Sequence, residues 1–394
     1  MNRSFTLFAL TALIGATALI PTSARAAELE VSGWIPYWAV SAGVREAGKH
    51  LDELSVIHPF SYSVNTDGKP KDLANMGKSS WQRLIRNAKA DGVAVIPTIM
   101  WSDTNSIHRI LSDEKLRAAH VKAIADLVKK EKYDGIDIDY EGKLAKTRPY
   151  YSLFLKELDS ALGAKTLSCT IEARTPPESL YTTIPATLEY ANDFGQINKY
   201  CDRVTLMTYD QQRADLKLNS ARSGAPYYPI ADLEWVKKVV ALASKSIDKN
   251  KLVIGVATYG REVEVTVSPN WFQAYRQISS VSDEYARDTA DKHDADLFRN
   301  GAGELSYSYA PDKATQKLLA SVSLPKSTRP RDEAAARALA YADKTGNTVK
   351  IRTVWWSDAK AIEEKADLAR ALGVKGIAIF KIDGGADEDL WDSF

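Results

Sequence analysis

Asp134-Gly135-Ile136-Asp137-Ile138-Asp139-Tyr140-Glu141 is the stretch that decides the fold. Its apolar residues and its acids alternate strictly. In a strand, alternate side chains share a face. Asp137, Asp139 and Glu141 therefore point one way, and Ile136, Ile138 and Tyr140 point the other. Asp is a poor strand former. Three carboxylates on one buried face cost several kcal/mol unless protons or cations relieve them. Local strand stability does not explain the pattern, so it calls for chemistry. If helices cover the Ile face, the acids line the inside of a closed barrel. They then lie near the carboxyl ends of the strands, where such barrels carry their sites.

The rest of the chain fits that placement. Short runs rich in Val and Ile predict strands at Val31–Tyr37, Leu54–Tyr62, Val93–Met100, Gly135–Tyr140, Thr166–Ala173, Arg203–Tyr209, Leu252–Tyr259 and Gly376–Ile382. Segments of helical period lie between most of them. Leu116–Lys130 is the clearest, with Leu116, Ala119, Ala123 and Leu127 on one stripe. Ser357–Leu372 opens on Ser357 as a cap and closes at Gly373. Continuous apolar strands alternating with helices predict a parallel sheet with a covered outer face. Eight such units predict an α/β fold, a (β/α)8 TIM barrel, over an open doubly wound sheet. The glycine-rich dinucleotide loop of the open alternative is absent.

Strands seven and eight are too far apart for one helix. Residues 263–350 are expected to form a small α+β insertion, with 27–262 and 351–394 as the barrel; a surface loop is the alternative. Residues 1–26 have the form of a cleavable secretory signal: Arg3, an apolar run from Phe5 to Ile20, and Ala24-Arg25-Ala26. The expected location is secreted or periplasmic.

Net charge is +1, from 52 basic and 51 acidic residues, with no basic tract. Nothing electrostatic supports a nucleic-acid partner, and no later apolar run is long enough for membrane insertion. Cys169 and Cys201 fall on or near neighbouring strands. In an oxidising compartment they either pair or stay as two buried thiols.

Three readings of the acids compete. An exposed edge strand conflicts with the flanking Ile residues. Grouped carboxylates can hold Mg²⁺ or Ca²⁺, but no matching ligands stand out at other strand ends, so no metal and no cofactor is expected. In acid catalysis, neighbouring carboxylates raise one another's pKa and keep one protonated.

The motif Asp134-x-x-Asp137-x-Asp139-x-Glu141 resembles the signature of glycoside hydrolase family 18, the chitinase type. Gly33-Trp34, Phe60-Ser61-Tyr62, Met207-Thr208-Tyr209-Asp210, Tyr259-Gly260-Arg261 and Val354-Trp355-Trp356-Ser357-Asp358 resemble further family segments in the same order. The resemblance covers about residues 31–394, and its flavour is that of bacterial spore-cortex and cell-wall lytic enzymes. It implies a retaining glycosidase acting on a polysaccharide or oligosaccharide with N-acetylated sugars. The substrate's own acetamide oxygen would attack the anomeric carbon and form an oxazolinium ion, an exception to the two-carboxylate scheme. Glu141 would be the acid, and later the base toward water. Asp139 would hold the acetamide N–H, Asp137 would share a proton with Asp139, and Tyr209 would orient the acetamide. Asp210 would bind sugar hydroxyls.

Met207 shares the Tyr209 face, as pocket floor or as core. Tyr62, Trp101 and Trp38 are candidate sugar platforms, Trp101 foremost. The family usually ends strand eight with Trp, whereas this chain has Phe380 followed by Lys381. That departure leaves a silent carbohydrate-binding protein on the same barrel as the alternative function.

Overall fold

The computed structural model describes residues 29–324 and 330–394. The expected signal segment, 1–26, lies outside the described residues.

Eight parallel strands close on themselves, the first pairing with both the second and the last. In barrel order they are Glu30–Pro36, Val56–Val64, Ala94–Val95 with Thr98–Trp101, Gly135–Tyr140, Thr166–Glu172, Arg203–Met207, Leu252–Ala257 and Gly376–Phe380. The third was expected as one run. It is broken at Ile96-Pro97, because Pro97 has no N–H for the ladder. Its carbonyl still accepts from the Asp137 N–H at 2.8 Å.

The outward residues of the strands join the helices in one large core that includes Ile136, Ile138, Tyr140, Leu167, Ile171, Val204 and Ile254. Helix Glu114–Glu131 spans the predicted segment, but its buried face runs through His120, Val121, Ile124 and Val128, and Ala119 of the expected stripe is exposed. Helix Ala359–Leu372 is capped by Asp358, whose side chain accepts from the Ala361 N–H, and not by Ser357. Ser357 instead donates to Glu304 at 3.1 Å. The same helix ends at Gly373 with φ 66°, a left-handed conformation that favours glycine.

The barrel interior is layered. At the bottom Arg203 pairs with Glu30 at 2.6 Å and donates to Thr205 at 2.8 Å. Above it lie Trp34, His58, Thr98, Asp137 and Thr170, all buried. Burial, then the Arg203 charge, pushes the His58 pKa down to about 4. The ring is therefore neutral at pH 7 and donates from Nδ1 to the Ile96 carbonyl at 2.8 Å.

Between barrel strands seven and eight the chain builds a second, antiparallel sheet from Gly260–Ser268, Trp271–Val281, Phe298–Arg299, Leu305–Tyr309 and Val349–Trp356. Helix Glu333–Thr345 packs on this sheet through Ala335, Ala338 and Ala342. Glu304 ties the sheet to the barrel. Its buried carboxylate accepts from the Ile230 and Ala231 N–H groups at 2.9 and 2.8 Å, with Lys365 3.9 Å away.

Cys169 and Cys201 form a disulfide across 32 positions, joining barrel strand five to the chain just before strand six. A loop of that length restricts the unfolded chain by roughly 3–4 kcal/mol. Replacing both cysteines with Ala should lower the urea midpoint by an equivalent amount. An unchanged midpoint would show that the bridge contributes nothing in solution.

Candidate active site

The acids of strand four climb the barrel axis. Asp137 is fully buried and held by three donors: Thr98 Oγ1 at 2.8 Å, Thr170 Oγ1 at 2.9 Å and Trp34 Nε1 at 3.4 Å. Thr98 and Thr170 stand on the two flanking strands, Thr98 directly beside Asp137 in register, while Trp34 reaches across the barrel from strand one. Asp139 is one step higher and 3% exposed. Its Oδ1 is buried and has no hydrogen-bond partner among the described residues. Glu141 follows the last strand residue, anchored by its N–H to the Trp101 carbonyl at 2.9 Å. Asp139 and Glu141 line one cleft of about 570 Å³ at the carboxyl end of the barrel.

Burial raises the Asp139 carboxyl well above its ordinary range, and the Glu141 and Asp137 charges add to the effect. Burial also raises Glu141, with Glu172 and Asp210 adding and Lys143 opposing. Burial and clustered like charge therefore hold both carboxyls toward their protonated forms.

Strand six sends Met207 into the cleft, with Tyr209 and Asp210 just beyond its end. Burial raises the Tyr209 hydroxyl well above its ordinary range, so it remains an O–H donor. Gly255 lets its ring in, since a Cβ there would lie 2.9 Å from the Tyr209 ring. Asp210 adopts a left-handed φ of 53°, which Asp tolerates better than most residues. Arg261 grips both its oxygens at 2.7 and 2.9 Å, and Tyr259 donates at 3.0 Å. Phe380 stacks on Tyr209 with centroids 5.5 Å apart and meets Trp34, Phe60 and Tyr259 edge-on. Lys381 follows it and pairs with Asp383.

The aromatic platforms require correction. Tyr62 is not in the cleft: it is 4% exposed and shares a hydrogen bond with Tyr133 at 2.8 Å in the outer core. A register irregularity between Phe60 and Tyr62 breaks the alternation, so Phe60 faces inward beside Thr98 while Tyr62 sits beside outward Ile99. Trp101 is also outward and buried, packed on Tyr140 and His120. It borders only a smaller cavity on the other side of Glu141. Trp38, weighed below Trp101 from sequence, is the exposed ring, 51% accessible at the cleft wall.

Sequence reasoning assigns no role to four site residues: Lys143, Glu172, Tyr259 and Arg261. Glu172 had a legible signal, because it shares parity with Thr170 on the inward face of strand five. Tyr259 and Arg261 enter the sequence analysis only as part of a family segment. Their grip on Asp210 depends on the second sheet, which begins at Gly260.

A model of the glycosyl hydrolases family 18 matches residues 34–385. An uncharacterized glycosylase of Bacillus subtilis, YvbX, is 21% identical over 290 residues, 73% of this chain and 68% of its own length. A cortical fragment-lytic enzyme of the same organism is 22% identical, covering 86% of this chain and 66% of its own. Among solved structures, the Bacillus cereus spore cortex-lytic enzyme SleL superposes with a TM-score of 0.66 at 19% identity, over 93% of this chain and 73% of that one. A chitinase from Chromobacterium violaceum gives 0.66 at 15% identity, over 93% and 98%.

Proposed function

The chain belongs to the glycosyl hydrolases family 18, and from that premise we propose that it is a retaining glycosidase cleaving β-linked N-acetylglucosamine-containing glycans by substrate-assisted catalysis. The candidate polymers are peptidoglycan strands, chitin oligomers and N-glycan cores. The relatives named for cortex lysis favour the first. Action outside the cytoplasm, in the periplasm or the medium, goes with this reading and with the signal expected at residues 1–26. Among the described residues no helix is long and apolar enough to cross a membrane.

One observation carries the mechanism: the free oxygen of Asp139 beneath Glu141. A two-carboxylate enzyme needs a second acid free to attack the sugar. Asp210 is bound by Arg261 and Tyr259. Glu172 is bound by the Gly142 N–H and by Asn192, each at 2.8 Å. Asp139 is held toward its protonated form by burial and like charge, which makes it a poor nucleophile. The nucleophile that suits this site is the substrate's acetamide oxygen. Asp139 would accept the acetamide N–H on its open Oδ1, and Tyr209 would donate to the acetamide oxygen. Glu141 gives its proton to the leaving oxygen as the oxazolinium ring forms, then takes one from the attacking water.

Products of peptidoglycan strands and chitin oligomers should be identified by mass, for the wild type and for Glu141→Gln. Glu141-dependent fragments are expected from at least one. Binding without cleavage would turn the reading toward the silent carbohydrate binder, with the smaller Phe380 ring as the first cause to examine. The substrate-assisted scheme makes a sharper prediction: an aryl N-acetylglucosaminide should be hydrolysed and the matching aryl glucoside should not. Comparable rates on both would sink it.

A further inference from the structure

Glu141 is the last side chain of the acid ladder, and it stands just outside the strand. Its position therefore rests on the peptide groups before and after it. The carbonyl before it, that of Tyr140, accepts from Lys143 Nζ. The N–H after it, that of Gly142, donates to Glu172 Oε1 at 2.8 Å. Lys143 and Glu172 lie 3.7 Å apart, and Asn192 fixes the other Glu172 oxygen at 2.8 Å. Lys143 is buried, its ammonium over the Tyr151 ring at 4.7 Å, while Glu172 is half-buried.

We propose that Glu172 and Lys143 are positioning residues for Glu141: as a pair they clamp the peptide groups on both sides of it and set opposite charges beside its carboxyl. The proposal rests on Glu141 being the acid, as read above, but its test does not require turnover.

Several elements present charges to Glu141. Strand four contributes Asp137 and Asp139, and strand five contributes Glu172, with Arg174 two residues on. Asp210 follows strand six and is neutralised by Arg261. Lys381 follows strand eight and is neutralised by Asp383. Asp103, after strand three, borders the smaller cavity beside Glu141. Of these, Glu172 and Asp210 raise the Glu141 carboxyl and Lys143 lowers it, with burial the largest cause. Glu172 itself stays ionised: burial would raise it, but Lys143 and the Gly142 and Asn192 hydrogen bonds outweigh burial and carry it below its ordinary value.

The test is a direct titration of Glu141. Glutamate labelled with ¹³C at the carboxyl reports each side chain by NMR, and Glu141→Gln identifies the Glu141 signal. Glu172→Gln keeps the shape and the Gly142 bond but removes the charge. It should lower the Glu141 midpoint by roughly half a pH unit or more. Lys143→Met should raise it, and the double variant should fall near the wild type. A purely structural pair would lower the melting temperature and leave the midpoint in place, or move it the same way in both variants. Either result would overturn the proposal. Glu172→Asp, which keeps the charge, should restore the midpoint if Lys143→Met fails to fold. Where turnover is measurable, the alkaline limb of kcat should follow the midpoint, and Glu172→Ala should cut kcat roughly ten- to a hundredfold with little change in KM. A wild type inactive on every glycan would count against the proposed function, while the titration would still decide whether the pair sets the charge beside Glu141.

Discussion

Glu141→Gln should leave a folded protein that binds its glycan but turns it over roughly 10²–10⁴-fold more slowly. Gln keeps the size of the side chain and the anchor of its N–H to the Trp101 carbonyl. It loses the proton that the leaving oxygen needs. The wild-type pH profile should carry the same signature. Burial, Glu172 and Asp210 hold the Glu141 carboxyl above its ordinary range. The acid form therefore persists to higher pH than in a free glutamate, and kcat should fall as pH rises through that value. The variant should have lost this alkaline limb. A variant within a few-fold of wild type across the profile would remove Glu141 from the role of acid.

Asp139→Asn should be the second largest loss, roughly 10²–10³-fold in kcat, with a smaller change in KM. The charge on Asp139 is disfavoured in the empty site by burial, Glu141 and Asp137. It becomes useful only when the acetamide nitrogen turns positive in the transition state, where the proton of Asp139 would pass to Asp137. An amide cannot supply it, and its dipole is a weaker substitute.

Stability should move differently from activity. A carboxyl whose pKa is raised by folding destabilises the folded state as pH climbs through that raised value. Removing the ionisable group should therefore spare the melting temperature at pH 8, or raise it. A fall in both activity and melting temperature would mark Asp139 as structural. A rise in KM alone would place its interaction in the ground state.

Much of this site was legible because it is built on strand periodicity. The alternation of Asp137, Asp139 and Glu141 with Ile136, Ile138 and Tyr140 assigns three acids to one face without any tertiary information. The fold put those acids inside and the isoleucines in the outer core. The same rule placed Met207 and Tyr209 together. It failed at Tyr62, where one irregular register step reverses the side-chain direction. Nothing in Phe60-Ser61-Tyr62 announces that step, which shows only in the pairing with the neighbouring strand.

Trp101 failed for a related reason. Its position at a strand end was right for a platform, but its parity matches Ile99 and sends the ring toward His120 and Tyr140. Trp38 lies in a single 3-10 turn, Tyr37–Ala39, too short for a period to operate. Its exposure follows only from how the turn after strand one sits against Phe60.

By itself the sequence determined the barrel, the count of its strands and the inward ladder of acids, since each follows from a repeat along a single strand or between neighbours in the chain. The tertiary structure alone decided which oxygens are occupied and which is free. Arg261 reaches Asp210 across 51 positions and Glu172 reaches Gly142 across 30. Those separations carry no period, and closing them depends on the register of the barrel and on where the second sheet rests. Asp139 is left open because the fold brings donors to Asp137, Asp210 and Glu172 and none to its Oδ1.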